Sequence, residues 1–524
     1  MSRTLTATVA ATLVVLSTLG AGAAVAADGD TITYGASSTP SWIVEVDNGS
    51  LGTLESWADS GDDRAVIATH NASNTAVVRA PAGAAGTDFL GGLLNSGLAH
   101  RGYVTDLSPN IQHSLADPVG LQNQSGVAAP SRVARLAGGD YIPGGAEWSR
   151  SGTAYAADAN RSTPADVRAT LGVDEVAVTG DSATVAVIDS GVNTANGAVF
   201  ANESTAAGPS RILPASKDFV ENETVKNDGI DAVDDPNGHG TWVASAVAAN
   251  HTNDTYDGIA PDADVLALRA LDSEGSGSTA DIASAVRYAA DEGADVIVMS
   301  LGSPVYDSAL TDALEYAQGE GVSGIAIAAG NSRQTTRWLA SPADAPVAGV
   351  AAVTATNTSA TASDAGVAYF ANVGDDPGVS DGSLGATRGE TVTVGAPGMN
   401  LAAKTPSTSG TVQTSTLSGT SMAAPQVAGL GALGVSDGAE WLGDAAAFTE
   451  ALRETARPVP SAPATEIGAG MAAADKLLAG NTTGSQADAM TDTAAARDEF
   501  WSTLAGGQRL NPLDRIQSYV ATLN

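Results

Sequence analysis

Apolar and polar positions along the chain fall into two patterned regions separated by a long stretch without period. Between about Thr163 and Gly480, short apolar runs alternate with longer segments whose small and apolar residues recur at helical spacing. The runs 184–189, 264–270, 294–300, 322–329 and 347–354 predict strands buried on both faces. The segments 239–248, 278–292, 307–320, 421–433 and 445–455 predict helices. Alternation at this spacing predicts an α/β fold, a parallel β-sheet with helices on both faces. Thr163 and Pro164 mark the first helix start, as N-cap and first helical residue.

Upstream, 42–46, 64–68, 75–79 and 103–107 read as strands and 88–98 as a short helix, so that 28–114 is expected to form a small separate α/β domain. Residues 115–163 are rich in Gly, Ala, Ser and Pro and read as a linker, a natural place for processing. Met1-Ser2-Arg3, the apolar stretch Leu5 to Leu19 and Ala24-Val25-Ala26 fit a cleaved secretory signal over 1–27. No other run approaches the ~18 apolar residues of a membrane-spanning helix. Residues 481–524 read as a polar tail, a terminal decoration packed weakly on the domain, with Phe500-Trp501 near a candidate helix.

Charge changes the picture more than length does. The 524 residues carry a formal charge of −35, yet 43% are hydrophobic, so a core forms and disorder is excluded. Such acidity argues against nucleic-acid partners, which need basic patches. Lysine occurs only at Lys217, Lys226, Lys404 and Lys476. An acidic, lysine-poor surface resembles that of halophilic proteins, in which salt screens self-repulsion. The absence of cysteine excludes disulfides, thiol catalysis and Cys-based zinc sites.

Three segments carry candidate chemistry. In Leu417-Ser418-Gly419-Thr420-Ser421-Met422-Ala423 a turn delivers a serine to a helix N-terminus, where free N–H groups and the dipole favour a developing anion. Thr184 to Asp189 is a buried strand ending in a carboxylate before a Ser-Gly turn. Asn237-Gly238-His239-Gly240-Thr241 opens a helix with a histidine between two glycines, which leave space around the ring. Of the five histidines, His70, His100 and His113 lie in the N-terminal region, which leaves His239 and His251 as candidate bases; the polar loop around His251 favours His239. No histidine follows Ser421, which excludes the Ser–Asp–His order of α/β-hydrolases.

The order Asp189, His239, Ser421, with these flanking residues, resembles the subtilisin-like serine proteases (subtilases, peptidase family S8). The resemblance runs through the patterned region to Gly468-Ala469-Gly470-Met471. It implies a secreted endopeptidase made as a precursor, with Ser421 as nucleophile, His239 as general base and Asp189 orienting the imidazole. Asn331, in Ala328-Ala329-Gly330-Asn331, is similar to the family's oxyanion asparagine. Gly275-Ser276-Gly277 and Ser300-Leu301-Gly302 resemble the backbone segments that sandwich a peptide substrate as an added strand. Residues 28–114 would be the propeptide, which assists folding and inhibits until cut off, with a permanent accessory domain as the rival reading; Tyr103 to Asn110 is similar to the end of such segments.

The chain departs from the family pattern at Trp242, where a second histidine is usual, at Asn193 to Asn196, which lacks the usual His-Pro, and at Val298, which replaces a frequent asparagine. No cofactor is needed for the chemistry. The acidic run 227–235 reads as a solvated loop, with a structural Ca²⁺ as the alternative. The rival reading of the whole chain is a catalytically silent subtilase-fold binding or scaffold protein.

Overall fold

The computed structural model describes residues 40–115 and 161–482, apart from 72, 87–96, 194–199, 201–210, 251–253, 304–305, 332–337, 360–364, 369, 375–390, 407–411, 461 and 463. The expected signal segment, most of the linker, His251 and nearly all of the tail lie outside the described residues.

The N-terminal unit is a four-stranded antiparallel sheet. Its strands are β1 (Ser41–Val46), β2 (Ala65–His70), β3 (Thr75–Arg79) and β4 (Val104–Pro109), in the order β2-β3-β1-β4. Helix α1 (Leu51–Asp59) packs on one face through Leu54, Trp57 and Ala58, against Trp42, Val44 and Val46. This helix was not expected, although its buried residues sit at i, i+3 and i+4. The predicted helix over 88–98 falls mostly outside the described residues; Leu98 opens a 3-10 turn, Leu98–His100. A further strand, β5 (Gln112–Leu115), leaves this unit and pairs elsewhere.

The main unit begins at α2 (Pro164–Leu171), capped as expected: Thr163 and Asp166 form a reciprocal capping box. Its sheet contains β6 (Thr184–Asp189), β7 (Lys217–Asp218), β8 (Glu223–Thr224), β9 (Asp264–Arg269), β11 (Val296–Met299), β13 (Gly324–Ala328), β14 (Val350–Thr356) and β15 (Val394–Pro397). The eight strands lie in the order β15-β14-β13-β11-β6-β9-β7-β8, parallel throughout except for the edge pair β7–β8. Two short strands stand outside this sheet, β10 (Ser276–Ser278) and β12 (Leu301–Gly302). A hairpin of β16 (Leu401–Pro406) and β17 (Val412–Leu417) leads into the serine helix.

Helices cover both faces, as the alternation predicted. On one lie α3 (His239–Ala248) and α6 (Thr420–Asp437); on the other lie α4 (Thr279–Asp291) and α5 (Ser308–Gly319). Strand periodicity sorts the core: Val185 and Val187 of β6 face the first pair, Ala186 and Ile188 the second. Chain order reverses at β6, because β9 lies on one side of it and β11 on the other. Open parallel sheets bind ligands outside the carboxyl ends of their strands at such a reversal. Asp189 ends β6 there.

Candidate active site

Asp189 is fully buried, and its Oδ1 accepts from the Ser190 N–H at 2.7 Å. The same carboxylate meets Nδ1 of His239 at 2.8 and 3.1 Å. Nδ1 is thus the protonated nitrogen, and Nε2 carries the lone pair a base needs. His239 is the first residue of α3, and the approach of that helix to β6 depends on Gly240. A Cβ there would lie 2.2 Å from the Gly191 carbonyl and 3.1 Å from Asp189. Gly238 takes φ +92° as the residue before the helix. The two glycines therefore serve helix approach and entry rather than clearing space around the ring.

Asp235 was read as part of a solvated or calcium-binding loop. It is instead 1% exposed, and both its oxygens are taken by protein donors. Oδ1 accepts from Ser190 Oγ (2.8 Å), Asn237 N (3.1 Å) and Gly238 N (2.8 Å); Oδ2 accepts from Thr241 N (2.8 Å) and Oγ1 (2.7 Å). Burial raises its pKa, opposed by these donors. Asp235 thus pins the start of α3 to the end of β6. An Asx turn is legible in Asp-Pro-Asn-Gly, and it was the available signal. Among the described residues no group of three or more His, Asp or Glu side chains is gathered as a metal site.

Ser421 lies in the first turn of α6 and is fully buried. Its hydroxyl donates to the Ser300 carbonyl at 3.2 Å, while the Ser300 hydroxyl donates to the Ser421 carbonyl at 2.9 Å. The second bond has a covalent cause. Pro425 stands four residues on, without the N–H that would have bonded the Ser421 carbonyl inside the helix.

Asn331 Oδ1 accepts from the Thr420 N–H and hydroxyl, both at 2.9 Å. That fixes the amide orientation and turns its NH₂ away from Thr420. The Thr420 hydroxyl also accepts from Gly330 N at 3.0 Å, which ties the end of the β13 loop to the serine helix.

The segments expected to hold substrate hold β5. Ser276, Gly277 and Ser278 pair with Ser114, His113 and Gln112; Leu301 and Gly302 pair with Leu115 and Ser114. The resulting three-stranded sheet, β10-β5-β12, is antiparallel. Gly275 lies outside the ladder, in the turn before it at φ +77°. Gly277 is required by its own domain: a Cβ would lie 2.2 Å from the Ala270 carbonyl. Of the departures named above, Trp242 and Val298 are core residues, and 194–196 lie outside the described residues.

The subtilase family model, Peptidase S8, matches residues 180–484. Thermitase of Thermoactinomyces vulgaris is 35% identical over 260 residues, 49% of this chain and 77% of thermitase. A thermophilic serine proteinase of Bacillus sp. (strain AK1) is 38% identical over 222 residues, 42% of this chain and 46% of that protein. A subtilisin of Bacillus sp. (strain TA39) is 35% identical over 282 residues, 52% of this chain and 62% of that protein. This chain therefore spans less than two thirds of the latter two. The crystal structure of fervidolysin from Fervidobacterium pennivorans, a keratinolytic enzyme related to subtilisin, superposes with a TM-score of 0.59 at 20% identity. The superposition covers 85% of this chain and 61% of that one, and shares the fold. The chain belongs to the subtilase family, and by class it is a serine-type endopeptidase.

Proposed function

We propose that this protein is a secreted, halophilic serine endopeptidase, made as a precursor whose residues 28–114 inhibit it until they are cut away. Ser421 attacks the peptide carbonyl carbon while His239 Nε2 takes the hydroxyl proton. Asp189 holds the imidazole tautomer and favours its charged form. The anionic oxygen of the tetrahedral intermediate receives the Asn331 amide and the Ser421 N–H. The latter is a first-turn amide, with no carbonyl one turn back in its own helix. Collapse breaks the C–N bond, and His239 returns the proton to the leaving amine. Water, activated by the same base, then hydrolyses the Ser421 ester. None of these steps calls for a cofactor. A Ca²⁺ at 227–235 would be structural, and the five donors on Asp235 leave that residue unsuited to ligate it.

The observation that carries the precursor reading is β5. It lies between β10 and β12 in the manner of an added substrate strand. Leu115 pairs with Leu301, and the residue before Leu301 is Ser300, whose carbonyl meets the Ser421 hydroxyl. A peptide held in this register thus offers Ser421 the carbonyl of the residue following the Leu115 position. The cut falls at the start of the 115–163 linker. Main-chain pairing of this kind takes proteins and peptides as substrates. No helix among the described residues is long and apolar enough to cross a membrane.

Expression of the full chain with and without Ser421→Ala tests the proposal. The parent should yield a mature form with its N-terminus in the linker, labelled at Ser421 by a sulfonyl fluoride. The variant should stay uncut and hydrolyse no peptide. An uncut, unlabelled parent would favour the scaffold reading, and a processed Ser421→Ala chain would remove Ser421 from the chemistry.

A further inference from the structure

The strand in the cleft carries a side chain that the apolar pattern of the chain gives no reason to bury. His113 is 1% exposed, and its Nε2 lies 2.9 Å from Asp307 Oδ2 and 3.1 Å from Thr279 Oγ1. Asp307 is built for this contact. Its Oδ1 caps α5, accepting from Ala309 N at 3.0 Å and Leu310 N at 3.3 Å, which leaves Oδ2 to face the cleft. Thr279 donates its hydroxyl to Oδ2 at 2.5 Å and so presents lone pairs to Nε2. Among the described residues His113 Nδ1 meets no partner, so recognition runs through Nε2 alone. Both partners belong to the main unit and would remain when β5 leaves. Oδ2 keeps the Thr279 hydroxyl, and the lone pair that His113 used then faces the subsite, where a side chain without a hydrogen-bond donor would cover it and leave it unmet.

We infer that Asp307, with Thr279, makes this peptidase select a donor-bearing side chain, histidine above all, at the fourth residue counted back from the cut bond, and reject apolar and acidic ones. The inference rests on the endopeptidase reading and on the register above, in which His113 stands two residues before Leu115. Hydrophobic subsites discriminate weakly, whereas a site built to pair one polar group discriminates strongly, because the mismatch covers a carboxylate lone pair that no donor then meets.

The test uses mature enzyme processed from the full chain and peptides that differ only at that residue. The kcat/KM for His should exceed that for Phe or Glu by roughly 10- to 100-fold. Asp307→Asn keeps the capping oxygen and replaces Oδ2 by an amide donor, and it should collapse the His/Phe ratio. Equal rates for His and Phe in the parent, or an unchanged ratio in the variant, would overturn the assignment. A second measurement needs no catalysis. In the full chain carrying Ser421→Ala, adding His113→Ala should speed hydrogen exchange at the amides of β10 and β12, and unchanged protection there would equally overturn the pocket. If the parent cleaves no peptide while the exchange result holds, the endopeptidase reading fails and the pocket stands.

Discussion

At the scale of single residues the site divides into groups that react and groups that hold them. In the proposed mechanism Asn331 works beside the reacting groups, as a hydrogen-bond donor to the anionic oxygen. Its oxygen is fixed by Thr420, so its amide is aimed before any charge develops. Asn331→Ala should lower kcat by about 10²–10³ with little change in KM, a scale set by subtilisins themselves rather than by this geometry. A loss confined to KM, measured on mature enzyme, would contradict the role. Asp189, His239, Ser421 and Asn331 were legible in the sequence because each sits in a short motif whose neighbours share its element. Asp235 and Asp307 were not. Asp235 reads as one carboxylate of an acidic run and Asp307 only as the start of a predicted helix, and tertiary packing alone separates a buried cap from a solvated carboxylate. His113 carries no signal in the sequence for the same reason, since pairing between residues more than a hundred positions apart leaves no local mark.

At the scale of elements, the serine helix depends on a bond from another strand. Pro425 leaves the Ser421 carbonyl without a helical donor, and Ser300 supplies one. Ser300→Ala should orphan that buried acceptor, at a loss of about 1–3 kcal/mol. Pro425→Ala restores the i→i−4 donor, so the double variant should regain part of the loss in thermal midpoint; purely additive losses would refute the coupling. The contact between the N-terminal sheet and α4–α5 carries its own charge logic. Burial, with Asp106 and Glu45 facing it and Arg287 only partly offsetting them, pushes Asp312 of α5 up to about 7. Docking therefore favours the protonated form. Its contribution is full below the ordinary carboxylate range and lost as pH rises through about 7. His70, lowered by burial, works in the opposite sense as pH falls. In the Ser421→Ala chain, Asp312→Asn should leave the thermal midpoint unchanged near pH 4 and raise it near pH 8; a pH-independent effect would refute the linkage. Strands β6, β9, β11, β13 and β14 and helices α3 to α6 were legible from period alone, whereas the two- and three-residue strands β7, β8, β10 and β12 are too short to show one. The edge strand β15 and the hairpin β16–β17 were not legible either, because Thr- and Gly-rich runs there imitate loops.

At the scale of the whole molecule, the proposed halophilic character rests on net charge. With 59 acidic against 24 basic residues, the formal charge is −35, and nothing in the catalytic arrangement requires it. At about 0.01 M salt the Debye length is roughly 30 Å, comparable to the domain, and the carboxylates repel one another across the molecule; at 1 M it is roughly 3 Å, less than their usual separation. Compaction gathers these charges and unfolding disperses them, so low salt should favour the unfolded chain. The internal ties of the site are short and buried and should feel salt little. The expectation is a thermal midpoint and peptidase activity that rise together from dilute buffer to molar NaCl or KCl. The Asp189–His239 geometry should be unchanged wherever the chain is folded. Ca²⁺ at millimolar concentration should restore only the part of the loss that its ionic strength explains, unless it binds within 227–235. The measurement is the midpoint against salt, with Ca²⁺ and with chelator, on the Ser421→Ala chain so that self-digestion does not intrude. A flat curve would remove the halophilic reading and leave the chemistry of Ser421 standing.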